Sequence, residues 1–298
     1  MRALRAIVTG GAGFIGSHLV DALVERGDEV VIVDDLSSGK REHLNPNARF
    51  EERDIRQGLD ASDAEVVFHL AAQADVQTSV KRPDYDADVN VLGTVRVLEA
   101  ARASGAQVVF TSTGGAIYGE CDGPAGEEAP REPLSPYGIA KLCGEEYLQG
   151  WNRTYGTRNV VLRLANVYGP RQDAGLEGGV VAIFLERLAA GEETVIYGDG
   201  GQTRDFVYVG DVVQGLLAAT GREGGVFNVG TGDETTILAL HRVCAVVAGA
   251  EREPRFEEAR LGDVRRSVLD VSLAARELGW RPQVGLEDGL RLTWASLQ

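Results

Sequence analysis

The sequence predicts an α/β protein: a doubly wound parallel sheet with a smaller C-terminal α/β lobe. Three observations carry this. Six short strand-like runs, most of them apolar on successive residues, occupy Ala6–Thr9, Val30–Asp34, Arg49–Glu52, Val66–Leu70, Gln107–Ser112 and Asn159–Leu164. Amphipathic stretches of helical period stand between several of them, notably Phe14–Arg26, Asp88–Ser104 and Pro136–Tyr155. Strands that are apolar on both faces, alternating with helices, mean a parallel sheet covered on both sides, with right-handed crossovers. After about Tyr168 the rhythm weakens, and Gly- and Pro-containing connectors such as Tyr168-Gly169-Pro170 and Gly198-Asp199-Gly200-Gly201 take over. Residues 1–168 are therefore read as the first lobe and residues 169–298 as mainly the second, with segments near 204–232 returning to the first.

Composition narrows the function. A chain of 298 residues, 44% hydrophobic and 25% charged, can bury a core without covalent staples. Its three cysteines, Cys121, Cys143 and Cys244, show no CxxC spacing, and its four histidines form no HExxH, so neither a disulfide framework nor a metal site is expected. The formal net charge of −15 argues against nucleic acid, which needs a basic stripe to displace counterions. Apolar runs such as Glu65–Ala72 fall far short of the ~20 residues of a membrane span. The N-terminus runs straight from Met1-Arg2-Ala3-Leu4-Arg5 into the first strand, so a cytoplasmic location is expected. Of the 30 basic residues only Lys40, Lys81 and Lys141 are lysine.

The first strand opens into Thr9-Gly10-Gly11-Ala12-Gly13-Phe14-Ile15-Gly16, with G-x-x-G-x-x-G at Gly10, Gly13 and Gly16 leading into a helix. Glycines there permit a tight turn, close approach of backbone to a pyrophosphate, and close packing of helix on strand, while the helix N-terminus faces the anion. An acidic residue, Asp34, ends the second strand. A carboxylate at that place accepts from ribose hydroxyls and repels a 2′-phosphate. Together these predict a Rossmann-type sheet that binds NAD rather than NADP. Asp54-Ile55 follows the third strand, where Asp54 would either reach the adenine or cap a turn.

Tyr137 and Lys141 are four apart on a stretch that begins Ser135-Pro136, a capping residue followed by a proline suited to the first helical position. Four apart on a helix is one face. An ammonium beside a phenol favours the phenolate, and lowering a tyrosine pKa from near 10 by about three units takes roughly 4 kcal/mol of differential stabilisation. Phe110-Thr111-Ser112-Thr113-Gly114-Gly115 ends a strand shortly before, which puts hydroxyls at the carboxyl edge of the sheet, where ligands bind. Thr113 or Ser112 would hold a substrate hydroxyl and relay its proton to Tyr137.

With these residues in view, the sequence resembles the extended short-chain dehydrogenases/reductases and, among them, the UDP-glucose 4-epimerases. The likeness spans the chain: Thr9–His18, Asp34-Asp35-Leu36-Ser37, His69-Leu70-Ala71-Ala72, Asn90 with Gly93-Thr94, Ser112–Gly119, Tyr137–Lys141, Arg163–Arg171, Arg204–Val209, Asn228-Val229-Gly230 and Leu278-Gly279-Trp280. The resemblance implies NAD contacts from Gly10, Gly13, Phe14, Ile15, Gly16, Asp34, Asp35, Asp54, Ile55, Leu70, Ala71, Ala72, Arg82, Asn90, Tyr137 and Lys141. Asp35 stands where asparagine is commoner, and one additional residue precedes Tyr118 compared with some relatives. That leaves the catalytic hydroxyl open between Thr113 and Ser112.

The resemblance further implies that Asn166, Arg204 and Arg260 hold a nucleotide diphosphate, with Val181 and Tyr197 about the uracil and Ser267 beside the sugar's C2 substituent. Relatives often carry a bulky tyrosine at the last of these, so a serine leaves room for an N-acetyl group. The implied reaction is NAD-dependent epimerisation at C4 of a UDP-hexose through a 4-keto sugar. Relatives that eliminate water or decarboxylate usually follow the active-site Ser/Thr with an acid, whereas here Gly114-Gly115 follow and transfer no protons. A 4,6-dehydratase, a uronate epimerase or decarboxylase, and a non-catalytic NAD sensor are the competing classes, and intact Tyr137 and Lys141 argue against the last. A homodimer is expected, paired through the helices over Asp88–Ser104 and Pro136–Tyr155.

Overall fold

The computed structural model describes residues 3–175, 179–250, 252–259 and 264–298. In chain order its first half runs β1 (Arg5–Thr9), α1 (Phe14–Glu25), β2 (Glu29–Asp34), β3 (Arg49–Glu52), β4 (Val66–His69), α2 (Val76–Lys81), α3 (Pro83–Ala87), a π-helical turn (Asp88–Leu92), α4 (Gly93–Ser104), β5 (Gln107–Thr113), α5 (Gly114–Ile117) and α6 (Pro136–Tyr155). The second half runs β6 (Val160–Leu164), β7 (Asn166–Tyr168), α7 (Val180–Ala189), β8 (Val195–Tyr197), β9 (Thr203–Arg204), β10 (Phe206–Tyr208), α8 (Val209–Ala219), β11 (Gly225–Val229), β12 (Thr235–Thr236), α9 (Ile237–Ala248), β13 (Arg255–Glu257), β14 (Arg266–Ser267), α10 (Ser272–Glu277) and α11 (Leu286–Ala295). Two compact units result. One holds residues 1–113, 135–163 and 213–227; the other holds 114–134, 164–212 and 228–298. The segment 114–134 packs with the second unit, and the returning segment is 213–227.

The first unit is built on a seven-stranded parallel sheet of order β11-β6-β5-β4-β1-β2-β3. Its inner strands are buried on both faces: Val66–His69 is buried at every position, and so is Val160–Leu164. That is why they read as unbroken apolar runs. Ile7, Val67, Val97, Val108, Phe110 and Leu148 belong to the core beneath α4 and α6. The order reverses between β1 and β4, which makes the carboxyl ends of these two strands the switch point where ligands bind in such sheets. The helix α6 starts where its sequence says it should: Ser135 Oγ accepts from Gly138 N at 3.2 Å, and Pro136 takes the first helical position.

In the second unit, short sheets pair β10 with β7, β9 with both β12 and β14, and β13 with β8. Its core gathers Tyr168, Phe184, Leu185, Ile196, Leu240 and Leu290. Several sequence motifs are explained by this packing. Asp205 is buried and accepts from Thr231 N at 2.8 Å, Thr231 Oγ1 at 2.6 Å and Gly232 N at 3.1 Å. A side chain at Gly230 would put a Cβ 2.4 Å from its Oδ2. Trp280 donates its indole N–H to the carbonyl of Asp211 at 2.9 Å, tying the C-terminal Leu278-Gly279-Trp280 to α8.

Candidate active site

The loop after β1 is tight because only backbone fits. Gly10 has φ of 73°, and a Cβ on it would lie 2.7 Å from the amide nitrogen of Ala71, so the loop lies directly against Leu70-Ala71 at the end of β4. At Gly16 a Cβ would fall 2.0 Å from the Gly10 carbonyl oxygen. Gly13 occupies the N-cap of α1 and offers no side-chain acceptor, which leaves the N–H groups of the first turn for an anion. Phe14 is buried and Ile15 half-buried as that turn begins.

Asp34 closes β2 with its carboxylate turned back on the loop. Oδ2 accepts from Ala12 N at 3.0 Å and Oδ1 from Leu36 N at 2.8 Å. Burial raises its pKa, and the two backbone donors act in the opposite direction. Each oxygen retains a lone pair for a ribose hydroxyl. Asp35 is exposed and accepts from Ser37 N at 2.9 Å. Asp54 is a capping residue, accepting from Arg56 N at 2.8 Å and from the Arg56 guanidinium. Arg56 also lowers its pKa. The neighbouring Ile55 is buried and packs so closely on Gly93 that a Cβ there would lie 2.7 Å from its Cδ1. Arg82 is exposed and lies over the ring of Tyr85, 4.3 Å from its centroid.

A buried network locks the strand ends around this loop. His69 Nδ1 lies 2.8 Å from Thr9 Oγ1, and His69 Nε2 lies 3.0 Å from Thr94 Oγ1. Thr94 spends its proton on the Asn90 carbonyl at 2.7 Å, so it accepts from Nε2–H, and Nδ1 accepts from Thr9. Burial pushes the His69 pKa down to about 3, with Lys141 adding to the effect, so the ring is neutral. Thr9 Oγ1 in turn accepts from Ala71 N at 3.2 Å. Asn90 is not aimed at the loop. Its Oδ1 accepts from Gln73 N and its Nδ2 donates to Gln73 O, both at 2.9 Å.

Tyr137 and Lys141 lie on one face of α6 as expected, with Nζ 6.0 Å from the Tyr137 ring centroid. Lys141 is buried, and its ammonium donates to the carbonyl of Thr111 at 2.9 Å and rests 4.8 Å from the Phe110 centroid. Burial pulls its pKa down to about 8, opposed by Asp86 and Glu145. One turn further on, Glu145 takes Arg163 in a buried pair, with Nε at 3.1 Å from both carboxylate oxygens and Nη2 at 2.7 Å from one. This fixes α6 on β6. Ser112 and Thr113 end β5 on the same edge. The buried Ser112 Oγ has no hydrogen-bond partner among the described residues. An uncapped helix start, a loop that admits no Cβ at Gly10 or Gly16, and a buried carboxylate at the end of β2 fit a dinucleotide.

Candidate residues of the second unit are more scattered. Asn166 and Arg204 are half-buried, the first on β7 and the second on β9, where Arg204 donates to the Thr203 carbonyl at 2.8 Å. Ser267 is buried on β14, in register with Arg204. Tyr197 ends β8. Val181 is 1% exposed in the core of the unit. Arg260 lies outside the described residues. Arg265 pairs on the surface with Asp199 at 2.7 Å. Gln73 and Asp86 were not singled out by sequence. Their only signal is position, four and seventeen residues from His69, and no spacing rule marks it.

Comparison with known proteins agrees with this arrangement. The model of the "NAD dependent epimerase/dehydratase family" matches residues 6–230. A UDP-glucose 4-epimerase of Mycolicibacterium smegmatis is 49% identical over 304 residues, covering 97% of each chain. The crystal structure of the UDP-glucose 4-epimerase of Thermotoga maritima with UDP-glucose has a TM-score of 0.95 at 49% identity and covers 99% of this chain and 98% of that one. The UDP-N-acetylglucosamine 4-epimerase of Methanobrevibacter ruminantium, in complex with UDP-N-acetylmuramic acid, has a TM-score of 0.94 at 35% identity, covering 100% of this chain and 99% of that one. With a glycine loop, a neutral strand-end histidine and a Tyr–Lys helix in the expected places, the chain belongs to the NAD dependent epimerase/dehydratase family.

Proposed function

We propose that the protein interconverts UDP-glucose and UDP-galactose by epimerisation at C4 of the sugar. The observation that carries the reading is the edge formed by Lys141, Tyr137, Ser112 and Thr113, followed by Gly114-Gly115 rather than by an acid. Tyr137, with the Lys141 ammonium beside it, takes the proton of the 4-hydroxyl; Ser112 or Thr113 holds that hydroxyl and relays the proton. NAD, held by the glycine loop and Asp34, would supply a reversible hydride acceptor for C4. The proton then goes back from Tyr137 to the C4 oxygen, so the sugar is neither oxidised nor reduced overall. Elimination or decarboxylation needs a further acid–base group, and Gly114-Gly115 provide none.

Gly10, Gly13, Phe14, Ile15 and Gly16 would hold the pyrophosphate, Asp34 and Asp35 the adenosine ribose, and Asp54 and Ile55 the adenine edge. Leu70, Ala71, Ala72, Arg82 and Asn90 would line the remainder. Asn166, Tyr197, Arg204, Arg260 and Ser267 would bind the nucleotide and sugar, whereas Val181, expected about the uracil, is buried in the core of its unit and offers no surface to a ligand. The small Ser267 favours acceptance of UDP-N-acetylglucosamine as well. The test is proton NMR of UDP-glucose incubated with the purified protein, without added NAD. UDP-galactose signals are expected. An unchanged UDP-glucose spectrum, alongside turnover of UDP-glucuronate or dTDP-glucose, would overturn the reading.

A further inference from the structure

A second buried polar cluster lies in the first unit, and the proposed chemistry leaves it unused. Asp86 of α3 is 1% exposed. Its Oδ1 accepts from Gln73 Nε2 at 2.8 Å and from Asn90 Nδ2 at 3.0 Å. Its Oδ2 is buried and has no hydrogen-bond partner. The donors around it are committed elsewhere too: Gln73 Nε2 also reaches the Asp75 carbonyl at 2.9 Å, and Asn90 Nδ2 the Gln73 carbonyl at 2.9 Å. A buried carboxylate with one oxygen unpaired is costly unless a positive charge lies near.

The nearby positive charge is Lys141, on the helix against which α3 packs. The groups that face Lys141 come from four elements. Tyr137 and Glu145 stand on its own helix α6, the Thr111 carbonyl and Phe110 ring come from β5, neutral His69 comes from β4, and Asp86 comes from α3. Glu145 is taken by Arg163 through three hydrogen bonds, so its charge is already matched. Asp86 has no arginine or lysine among its hydrogen-bond partners. It is the facing acid whose charge remains to be balanced by Lys141.

We propose that Asp86 is a positioning residue for the Tyr137–Lys141 pair: its carboxylate, clamped by Gln73 and Asn90, keeps the Lys141 ammonium protonated where Tyr137 works. The electrostatics agree in sign, since Asp86 raises the Lys141 pKa against the effect of burial. The inference rests on reading Tyr137 and Lys141 as the proton-handling pair.

Asp86→Asn isolates the charge. The amide oxygen keeps both hydrogen bonds, and the amide nitrogen takes the place of the unpartnered oxygen. The chain has three lysines, so protein labelled with 15N-lysine gives a side-chain spectrum simple enough to assign with Lys141→Met. In Asp86→Asn the Lys141 Nζ titration is expected to move down by about one pH unit, the size a neighbouring opposite charge supplies. Lys40 and Lys81 stay in place, and the alkaline limb of the kcat profile moves down with Lys141. A Lys141 midpoint within about 0.2 pH unit of wild type overturns the proposal. If the variant does not fold, the wild type is read instead: the Asp86 carboxyl carbon must show a step at the Lys141 midpoint, and its absence overturns the proposal equally. Both titrations need no substrate. Failure of the sugar assignment therefore shows as an inactive wild type, separately from failure of the charge coupling.

Discussion

At the scale of single residues, His69 shows how a motif reads differently once its partners are known. Sequence marks His69-Leu70-Ala71-Ala72 as a cofactor edge. The structure makes His69 a neutral clamp between Thr9 and Thr94, with one ring nitrogen donating and the other accepting. Its folded pKa, about 3, lies below the ordinary 6.5 of an unfolded chain. The unfolded state therefore takes up a proton first, and stability present above pH 6.5 is lost as pH falls toward 3. One proton corresponds to about 1.4 kcal/mol per pH unit within that window. His69→Gln retains a donor and an acceptor without titrating, so its urea unfolding curves, measured at pH 7 and pH 5, should differ less than those of wild type by at least about 1 kcal/mol. Equal losses in the two proteins would show that His69 is not the group responsible. Tyr137→Phe is the complementary test of chemistry: kcat should fall by about 10²–10⁴ while NAD affinity survives, as judged by turnover and by NAD titration monitored through protein fluorescence. A kcat within about threefold of wild type would remove Tyr137 as the base.

At the scale of elements, the parallel sheet was legible because burial on both faces writes itself into sequence. Arg49–Glu52 and Pro136–Tyr155 occupy the expected residues, the other five predicted strands shift at one end by one residue, and β11 has no counterpart among them. The stretch Asp88–Ser104 was read as one helix, but Asp88–Leu92 is a π turn, a wider winding that leaves no mark on the apolar period. The two-residue strands β9, β12 and β14 were invisible for a similar reason: pairing of distant segments makes them, and two residues carry no alternation. Sequence alone allows Asp54 an adenine contact or a cap; its bonds to Arg56 show that it caps, and they do not bear on the adenine contact. The glycine loop is the element whose spacing said most. Gly16→Ala would place a methyl 2.0 Å from the Gly10 carbonyl, against backbone that cannot yield without moving the whole turn. Overpacking of this kind costs about 1–3 kcal/mol. The variant should melt at lower temperature and bind NAD at least about tenfold more weakly, since 1.4 kcal/mol is a decade in affinity. Calorimetric binding and melting curves check both, and unchanged NAD affinity would show that the loop does not carry the pyrophosphate.

At the scale of the whole molecule, the net charge of −15 and the apolar balance mark an acidic globular protein and say nothing of assembly. Among the described residues no helix is long and apolar enough to cross a membrane. Several large apolar side chains left outside lie on α6 and on the turn before α4, and others, such as Val246 and Leu292, lie on α9 and α11. Ile139 is 51% exposed, Tyr147 41%, Tyr155 51% and Leu92 57%. Tyr147, Trp151 and Tyr155 follow one another at i, i+4 and contact edge to face, with ring centroids 5.6 Å and 5.4 Å apart. Aromatic side chains of this kind are typical of the fully buried centre of an interface, and a two-fold axis lets one such face cover its own copy. We propose a C2 homodimer through α4 and α6. Light scattering at micromolar concentration should give twice the 31.9 kDa of the chain. Tyr147→Asp adds a charge to the aromatic stripe, outside the Tyr137–Lys141 pair, and it should shift the mass toward that of one chain as concentration falls. A wild type that scatters as a single chain would reject the dimer. A dimer that survives Tyr147→Asp unchanged would place the interface on another face.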